Sequence, residues 1–296
     1  MISVIIPTYN RAQLLKLTVE SILNQTTGET EILIVDDGST DDTEKTVMEF
    51  KSDNIKYFKL PKSGNIGRLR NFGIQHSSND ILAFCDDDDI WEKEKLSIQL
   101  PYLDKYDFVC SNGKLVDSEN NMIKEKYFDI SENFLISPEI LIKDNYILTP
   151  TVLLKKNIIS GKKFEDTEYR NLCEDYHLWM QIVFTKKIFF INEDLVRIRR
   201  HLSTTQDLNN RISVEKNLLK IVTPFRKSKD KDIKDASYSS VFNKKYYLLK
   251  IYLEQKKYIK CFSGSFGLAL SLFNYRNLFL FSEKIINKIK KRTQLD

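Results

Sequence analysis

Four consecutive carboxylates follow an apolar run in the stretch FCDDDDIWEKEKL, which spans residues 84–96. Adjacent carboxylates repel one another, so the run from Asp86 to Asp89 needs a cation or several hydrogen-bond donors close by. Mg²⁺ and Mn²⁺ prefer oxygen ligands, commonly one or two carboxylates together with substrate phosphates. The cluster therefore predicts a metal-dependent site. The alternative is a solvated loop in which Asp89 caps the helix that follows.

The spacing of the four acids makes a further prediction. If they continue the preceding strand, alternate side chains point to opposite sides. Asp86 and Asp88 then share one side, and Asp87 and Asp89 share the other. One carboxylate can bind the metal while its partner orients a nucleotide ribose.

Two other stretches also carry paired acids. ILIVDDGSTDDT lacks both the spacing of a calcium loop and the lysine of a phosphate loop. Asp37 in this stretch either accepts a hydrogen bond from a nucleotide base or only forms the turn. CEDYHLWMQI starts a helix with Glu174 and Asp175, where the helix dipole favours negative charge by about 0.3–1 kcal/mol. The helix dipole is by itself a sufficient structural reason for both acids. A functional role requires Asp175 to face the same pocket as the run from Asp86 to Asp89.

The elements that position these acids alternate along the first 110 residues. Apolar runs predict strands over 2–6, 31–35, 55–58 and 81–85, and helical periodicity predicts helices over 12–25, 41–50, 67–76 and 93–102. This alternation predicts an α/β fold, a mostly parallel sheet with helices on both faces. Right-handed crossovers place all the strand carboxyl ends at one edge, where such sheets bind ligands.

The middle of the chain has a more mixed pattern. Strands are predicted over 152–155, 188–191 and 195–199, and a helix over 174–186, with Trp179, Ile182 and Val183 in the core. A basic cluster then follows at Arg197, Arg199, Arg200 and His201. Forked guanidinium groups can neutralise a diphosphate, although a solvated strand edge explains the cluster equally well.

Composition limits the class of protein. A chain of 296 residues with 42% hydrophobic and 29% charged residues is globular rather than disordered. The start has no signal-peptide pattern, and no later window offers 18 uncharged apolar residues. The four cysteines are far apart and lack companion histidines, which argues against a zinc site or a disulfide framework. We therefore expect a cytoplasmic protein.

The charge is distributed unevenly. Residues 1–210 contain 26 Lys and Arg against 34 Asp and Glu, net −8, whereas residues 211–296 contain 20 against 7, net +13. The basic part is rich in aromatic residues and helical in pattern, with a break predicted at Pro224 and an interruption at 262–267. We therefore predict a separate helical region that meets an anionic surface. Such a region can form an interfacial helix or a platform for a lipid-linked acceptor. It can equally pack on the first domain or on a second subunit.

Six motifs in order, from Ile2 to about Thr205, resemble the family 2 glycosyltransferases of the GT-A fold. They read VIIPTYNRAQLL, ILIVDDGSTDDT, GNIGRLRNFGI, ILAFCDDDDIWEKEKL, CEDYHLWMQI and RRHLSTT. The resemblance implies a Rossmann-like GT-A domain over 1–210 with a helical extension over 211–296. It also implies inverting transfer from a nucleotide sugar, expected to be a UDP sugar, to a saccharide or lipid-linked acceptor. Such enzymes build surface polysaccharides or glycolipids, at the inner face of the membrane.

The same resemblance implies roles for individual residues. Asp175 is the expected catalytic base, with Glu174 beside it to orient or contact the acceptor. Asp88 is the expected ligand of Mn²⁺ or Mg²⁺. Arg200 and His201 are expected to close over the diphosphate. The residues expected to contact the donor nucleotide are Pro7, Thr8, Tyr9, Asp37, Arg70, Asp86 and Asp87.

Two other functions use the same features. A metal-dependent nucleotidyltransferase also needs a nucleotide-binding sheet and an acidic site, but it releases pyrophosphate rather than a nucleoside diphosphate. A nucleic-acid-binding protein would use the basic part after residue 210. The acidic first 210 residues argue against a broad duplex footprint, so nucleic acid is not an expected partner.

Overall fold

The computed structural model describes residues 1–27, 29–169, 172–200 and 207–254. The chain divides into two compact units, Met1–Gln206 and Asp207–Asp296. The division lies close to residue 210, where the charge changes sign. The roles assigned to the two parts remain predictions.

The first part of unit one is a parallel α/β fold. Its elements are β1 (Ile2–Thr8), α1 (Ala12–Leu23), β2 (Thr30–Asp36), α2 (Thr43–Met48), β3 (Ile55–Lys59), α3 (Ile66–His76) and β4 (Ile81–Phe84). β1 pairs in parallel with β2 and β4, and β2 pairs in parallel with β3. β1 and β2 are buried along their whole length. Burial on both faces explains why these strands are continuous apolar runs in the sequence.

Helices cover both faces of this parallel half. On one face, Leu15 and Val19 of α1 share a core cluster with Val4 of β1. On the other face, Gly73 of α3 lies so close to Ile5 that an added Cβ would be 2.5 Å from Ile5 Cγ2. The predicted fold class, an α/β protein with a mostly parallel sheet between helices, is confirmed.

The second part of unit one extends the sheet with mixed pairing. Its elements are β5 (Ile90–Trp91), α4 (Lys95–Gln99), β6 (Phe108–Val116), β7 (Met122–Lys124), β8 (Phe134–Ile136), α5 (Pro138–Lys143), β9 (Leu153–Lys155), α6 (Glu174–Val183) and β10 (Ile188–Arg199). β9 lies antiparallel between β4 and β6, and β10 runs parallel to β6. β5 and β8 pair antiparallel with β10, and β7 pairs antiparallel with β6. Short 3₁₀ helices cover Leu100–Asp104, Thr149–Thr151 and Lys156–Ile159.

Three predicted elements in this part were wrong in extent. The strands predicted over 188–191 and 195–199 form one strand, β10, whose pairing with β6 shifts register on either side of Asp194. The shifts interrupt the alternation of apolar residues, so the sequence looks like two strands. The helix predicted over 93–102 is α-helical only to Gln99 and continues as a 3₁₀ turn that contains Pro101. Proline has no N–H for the next α-helical bond.

A buried aromatic cluster fixes α6 against the sheet. Trp179, Ile182 and Val183 are buried, as predicted. The Trp179 ring meets Phe108 and Phe164 edge to face, with ring centres 5.1 and 5.6 Å apart. This packing determines where the first turn of α6 lies relative to the strand ends.

Glu31 ties together the amino ends of the parallel strands. Its buried carboxylate accepts hydrogen bonds from Ser3 at the start of β1, from Lys56 on β3 and from the backbone and hydroxyl of Ser78 just before β4. Burial alone would raise the pKa of Glu31, but these bonds outweigh burial and lower the pKa to about 2. The ionised carboxylate therefore stabilises the sheet at the edge opposite the strand carboxyl ends.

Replacing Glu31 by glutamine is expected to lower the free energy of unfolding by about 2–3 kcal/mol at pH 7, because a pKa lowered on folding stabilises the fold above the unfolded value. The difference in free energy of unfolding between the two proteins therefore depends on pH. It has its full value above pH 4.5 and shrinks as the pH falls towards 2, where Glu31 becomes protonated in the folded protein as well. Urea unfolding of both proteins from pH 3 to pH 7 measures it. The control is Glu44→Gln, since Glu44 pairs with Lys59 at the surface with half of its side chain exposed. An equal loss in both variants contradicts the prediction.

The described part of unit two is helical. It consists of α7 (Leu208–Val222), a 3₁₀ turn at Thr223–Lys227 and α8 (Lys231–Glu254). Ile212, Leu248 and Ile251 form its small core, and the Ser237 hydroxyl donates to the Val222 carbonyl at 2.6 Å. The predicted break at Pro224 is confirmed. The predicted interruption at 262–267 lies outside the described residues. Among the helices described, none has the length and apolar character to cross a bilayer.

Candidate active site

The carboxyl ends of β1, β2 and β4 meet at one edge of the sheet, as predicted. The Thr8 hydroxyl donates to Asp87 Oδ2 at 2.7 Å, which joins the ends of β1 and β4. The Asp37 N–H donates to the Thr8 carbonyl at 2.9 Å, which joins the ends of β2 and β1. Pro7 lies opposite Val35 in the parallel pairing of β1 with β2, and its contact with a nucleotide remains a prediction. Sequence positions far apart thus form one surface.

The acidic run is a turn rather than a continuation of β4. β4 ends at Phe84, and the Asp89 N–H donates to the Asp86 carbonyl at 3.2 Å. The predicted alternation was therefore wrong for Asp89: it lines the same cavity as Asp86 and Asp88, while Asp87 turns towards Thr8. Capping of the next helix by Asp89 was also wrong, since its Oδ1 accepts the backbone N–H of Arg199 at 2.8 Å.

Two arginines hold the acidic turn. Arg11 Nη1 lies 2.9 Å from Asp87 Oδ1 and also contacts Asp88 Oδ2. The buried Arg199 guanidinium donates to the Asp88 carbonyl at 3.0 Å and to backbone carbonyls of the β6–β7 turn. Burial raises the pKa of Asp87 to about 6 in spite of Arg11, and burial with the neighbouring carboxylates raises that of Asp89. Ionised carboxylates are therefore unfavourable in this turn, and a cation would stabilise them.

A cavity of about 540 Å³ opens above this turn. Both carboxylates and cationic side chains line the cavity, so it offers ligands for a metal ion and for phosphate oxygens. The lining residues are Arg11, Asp86, Asp88, Asp89, Leu115, Lys124, Tyr127, Ile198, Arg199 and Arg200. Arg200 lines this cavity, and its closure over a diphosphate remains a prediction, whereas His201 lies outside the described residues.

The other arginines of the basic cluster, Arg197 and Arg199, are bonded to protein groups. Arg197 Nε lies 2.9 Å from Glu92 Oε1, so this guanidinium is engaged in an ion pair within the sheet. Arg199 lines the cavity but directs its donors to backbone carbonyls and to Asn120 Oδ1. Arg199 and Arg200 therefore line the cavity, and contact of the cluster with a diphosphate remains a prediction.

Arg70 connects the acidic turn to the start of α6. Its guanidinium is only 3% exposed, with Nη2 2.7 Å from Asp86 Oδ1 and Nη1 2.8 Å from Glu174 Oε1. Burial and the adjacent Asp175 raise the pKa of Glu174, and Arg70 opposes this rise. Glu174 is buried, and its carboxylate is paired with Arg70 rather than exposed to solvent. A direct donor contact of Arg70 remains a prediction.

Asp175 follows Glu174 and is half-buried. Its Oδ2 accepts the Thr149 hydroxyl at 2.7 Å, and its Oδ1 accepts the Tyr176 N–H at 2.6 Å. The preceding residue, Cys173, has a φ of 81°, an unusual value for a residue with a side chain. Asp175 is not among the residues that line the cavity above the acidic turn, so the two acidic centres are linked through Arg70 and Glu174.

Asp37 lies beside Tyr9 and holds the segment that precedes α3. Its carboxylate accepts the backbone N–H groups of Ser63 and Gly64, both at 2.7 Å, and pairs with Lys62 at 3.2 Å. These bonds lower the pKa of Asp37 although burial opposes the change. The Lys62 ammonium lies over the Tyr9 ring. An ionised acceptor and an aromatic ring are thus adjacent, as the base-binding prediction requires, and contact with a base remains a prediction.

Comparison with known protein families gives a match over most of unit one. The model named "Glycosyl transferase family 2" matches residues 3–159, which is more than half of the chain. The chain belongs to glycosyl transferase family 2. The family resemblance inferred from the six motifs is therefore confirmed.

Three relatives of this family 2 protein differ in length. It is 29% identical over 283 residues to a GalNAc(5)-diNAcBac-PP-undecaprenol beta-1,3-glucosyltransferase of Campylobacter jejuni, covering 91% of this chain and 89% of the relative. It is 28% identical to the UDP-Glc:alpha-D-GlcNAc-diphosphoundecaprenol beta-1,3-glucosyltransferase WfgD of Escherichia coli, covering 71% and 81%. An uncharacterized glycosyltransferase, RC0461, of Rickettsia conorii is 34% identical over 67% of this chain, which spans only 32% of that protein.

Solved structures share the fold at low identity. The complex of S. aureus TarS 1-349 with UDP-GlcNAc superposes with a TM-score of 0.64 at 19% identity, covering 86% of this chain and 72% of that one. The mannosyltransferase PcManGT of Pyrobaculum calidifontis, in complex with GDP-Man and Mn²⁺, gives a TM-score of 0.62 at 15% identity, covering 93% and 81%. Both likenesses support the GT-A fold of this family 2 protein.

The acidic turn of this family 2 protein fits a hard divalent ion. Asp86 and Asp88 offer carboxylate oxygens to one cavity, with 32% and 11% of their side chains exposed. Within the described ranges, no three His, Cys, Asp or Glu side chains form a metal site by themselves. Mg²⁺ and Mn²⁺ commonly complete their coordination with substrate phosphates. Asp88, with Asp86 beside it, would hold such an ion.

Sequence reasoning missed three residues of this family 2 site. Arg11 stands inside the first motif, Lys62 precedes the third, and Thr149 lies in the unpatterned segment before β9. Each of them contacts a predicted site residue that is distant in sequence. Arg11 contacts Asp87, Lys62 contacts Asp37, and Thr149 contacts Asp175. The positive charge of Arg11, next to a predicted strand end, was the one available signal.

Proposed function

We propose that the protein transfers a sugar from a nucleotide-sugar donor, a UDP sugar, to a lipid-linked saccharide and inverts the anomeric carbon. The observation that carries this proposal is the link from Asp88 and Asp86 through Arg70 to Glu174 and Asp175. It joins a cavity suited to a metal-bound diphosphate to a half-buried carboxylate that can accept a proton.

The choice of donor and acceptor is supported by two relatives. The name of the E. coli relative specifies UDP-glucose and an acceptor linked to diphosphoundecaprenol, and that of the C. jejuni relative specifies an undecaprenol-linked acceptor. Sugars on such carriers are precursors of surface polysaccharides and glycolipids. We therefore propose that this protein acts in one such synthesis, on an acceptor held at the membrane surface.

The proposed reaction is a single displacement. An acceptor hydroxyl attacks C1 of the sugar from the side opposite the nucleoside diphosphate, the new C–O bond forms, and the bond from C1 to the phosphate oxygen breaks. Asp175 accepts the hydroxyl proton as the bond forms, because a carboxylate is too weak a base to ionise an alcohol beforehand. Glu174 and Arg70 hold the first turn of α6 against the acidic turn.

The leaving diphosphate requires positive charge. Arg11, Lys124 and Arg200 line the cavity next to the acidic turn and would donate to phosphate oxygens. Asp88, with Asp86, would hold a Mn²⁺ or Mg²⁺ ion, which would neutralise part of the charge that develops on the diphosphate. His201 is proposed to contribute from the segment that follows Arg200.

The proposal is tested by a donor screen. The purified chain is incubated with UDP, GDP and dTDP sugars and a synthetic polyprenyl-diphosphate monosaccharide, and the released nucleotide is measured. The expected result is UDP release that depends on the acceptor. Pyrophosphate release would instead favour the nucleotidyltransferase alternative. The absence of acceptor-dependent nucleotide release from every donor would contradict the proposal.

Metal removal gives a separate prediction. EDTA is expected to lower UDP release by at least about 10²-fold, and excess Mn²⁺ or Mg²⁺ is expected to restore it, because the ion offsets charge on the leaving group. Asp88→Asn should weaken Mn²⁺ binding measured by calorimetry with UDP present. Asp53→Asn, at an exposed site, is the control. Full activity in EDTA together with unchanged Mn²⁺ binding by Asp88→Asn contradicts the assignment.

The basic part of the chain is proposed to attach the enzyme to anionic lipid. Lys and Arg near a membrane surface contribute about 1 kcal/mol each to binding. Residues 211–296 carry 20 such residues against 7 acids. Co-sedimentation with vesicles of phosphatidylglycerol, compared with phosphatidylcholine, tests this proposal. Retention of a DNA duplex instead of vesicles would favour the nucleic-acid alternative.

A further inference from the structure

Thr149 makes the side-chain contact that holds Asp175 from outside its own helix. Only 4% of Thr149 is exposed, and its hydroxyl donates to Asp175 Oδ2 at 2.7 Å. We propose that Thr149 is a positioning residue for Asp175. It fixes one carboxylate oxygen so that the group faces the acceptor in a single orientation. This inference rests on the proposed role of Asp175 as the proton acceptor.

The turn that carries Thr149 is buried and hydrogen-bonded to the sheet. It is a 3₁₀ turn over Thr149–Thr151 with a buried proline at its centre. The Thr151 hydroxyl donates to the Leu148 carbonyl at 2.8 Å and accepts the Ser111 N–H of β6 at 3.2 Å. Thr151 and Ser111 are both fully buried. The turn is therefore attached to the sheet at a defined position.

A second chain of buried polar groups supports the same turn from α4. Gln99 Nε2 donates to the Thr151 carbonyl at 2.8 Å, and Lys95 Nζ donates to Gln99 Oε1 at 2.7 Å. Both side chains are fully buried, and burial lowers the pKa of Lys95 to about 7. The Lys95 ammonium lies 3.9 Å from the centre of the Trp91 ring. Burying polar groups is costly unless they are bonded, so this chain holds the turn in one place.

The hydrogen bonds divide between the two oxygens of Asp175. Thr149 donates to Oδ2, and the Tyr176 N–H donates to Oδ1. Each oxygen keeps a lone pair that can accept a proton. The carboxylate is thus fixed in rotation without losing its capacity as a base. Since a displacement of about 1 Å can cost about 10²-fold in rate, loss of this orientation is expected to be visible in turnover.

A graded series of variants tests the inference. Thr149→Val removes the hydroxyl at nearly constant volume, and kcat for UDP release is expected to fall by about 10- to 100-fold while KM for the donor changes by less than about 2-fold. Thr149→Ser keeps the hydroxyl and should remain within about 3-fold of wild type. Thr149→Cys, whose thiol is a weak donor, should lie between them. UDP affinity measured by calorimetry should be equal in all four proteins. A kcat order that does not follow donor strength overturns the inference.

A double variant separates positioning from general packing. In an Asp175→Asn background, Thr149→Val should cause no further loss of the residual rate, because residues that act as one unit are not additive. Independent losses overturn the inference. Asp175→Asn at wild-type turnover would refute both the proposed base and this inference. An inactive Asp175→Asn alongside Thr149→Val at wild-type kcat would refute the inference alone.

Discussion

Asp175→Asn is expected to lower the turnover number by at least about 10³-fold, near the upper part of the range for general base catalysis. Asparagine has almost the same shape but cannot accept the proton of the attacking hydroxyl. Asp175 does not line the cavity proposed for the diphosphate. UDP affinity should therefore stay within about 3-fold of wild type, since the change removes an interaction that matters only as the bond forms.

Acceptor-dependent UDP release, measured together with UDP binding, distinguishes the two effects. The matched control is Asp232→Asn, because Asp232 also lies in the first turn of a helix but is exposed and belongs to unit two. The control should keep full activity. Wild-type turnover in Asp175→Asn, or a loss of UDP binding as large as the loss of turnover, contradicts the role of base.

The parallel half of the fold could be predicted because its signals are local. β1 and β2 are buried along both faces and therefore appear as unbroken apolar runs. Parallel connection then brings their carboxyl ends to one edge, so the sequence alone groups Thr8, Asp37 and the acidic turn. The hydrogen bonds from Thr8 to Asp87 and from the Asp37 N–H to Thr8 agree with that grouping.

The mixed half could not be predicted for the opposite reason. β9 has three residues, and its place between β4 and β6 depends on partners far away in sequence. β10 loses its alternation where its register shifts, so one strand looked like two. Pairing of this kind is specified by tertiary contact rather than by the periodicity of the strand itself.

The roles within the site also depend on distant contacts. The helix dipole was a sufficient explanation for Glu174, yet its carboxylate is paired with Arg70, which is 104 residues away. Similarly, strand alternation predicted that two of the four carboxylates, Asp86 and Asp88, share one side, but the geometry of a turn brings three of them to one cavity. Residue types indicate which chemical groups are available, and the fold determines which of these groups lie close enough to act together.

Arg70→Met is expected to lower the free energy of unfolding by about 3–5 kcal/mol and to abolish transfer, because it removes one partner of a buried ion pair. Asp86 is 32% exposed and can turn to water, but the Glu174 side chain is only 7% exposed and would be left without its counter-ion. The variant also loses the stacking of the guanidinium over Phe164. Urea unfolding measures the loss of stability, and UDP release measures the loss of transfer.

The pH dependence of this loss identifies its cause. Burial already raises the pKa of Glu174, and Arg70→Met removes the positive charge that most strongly opposes this rise. The buried carboxylate then destabilises the fold above its unfolded pKa and is relieved when it becomes protonated. The deficit of Arg70→Met should therefore be larger at pH 8 than at pH 5. Adding Glu174→Leu should recover about half of the lost stability, since replacing both partners of a buried pair is often close to neutral. A deficit that is the same at both pH values and in the double variant would instead assign the loss to packing against Phe164.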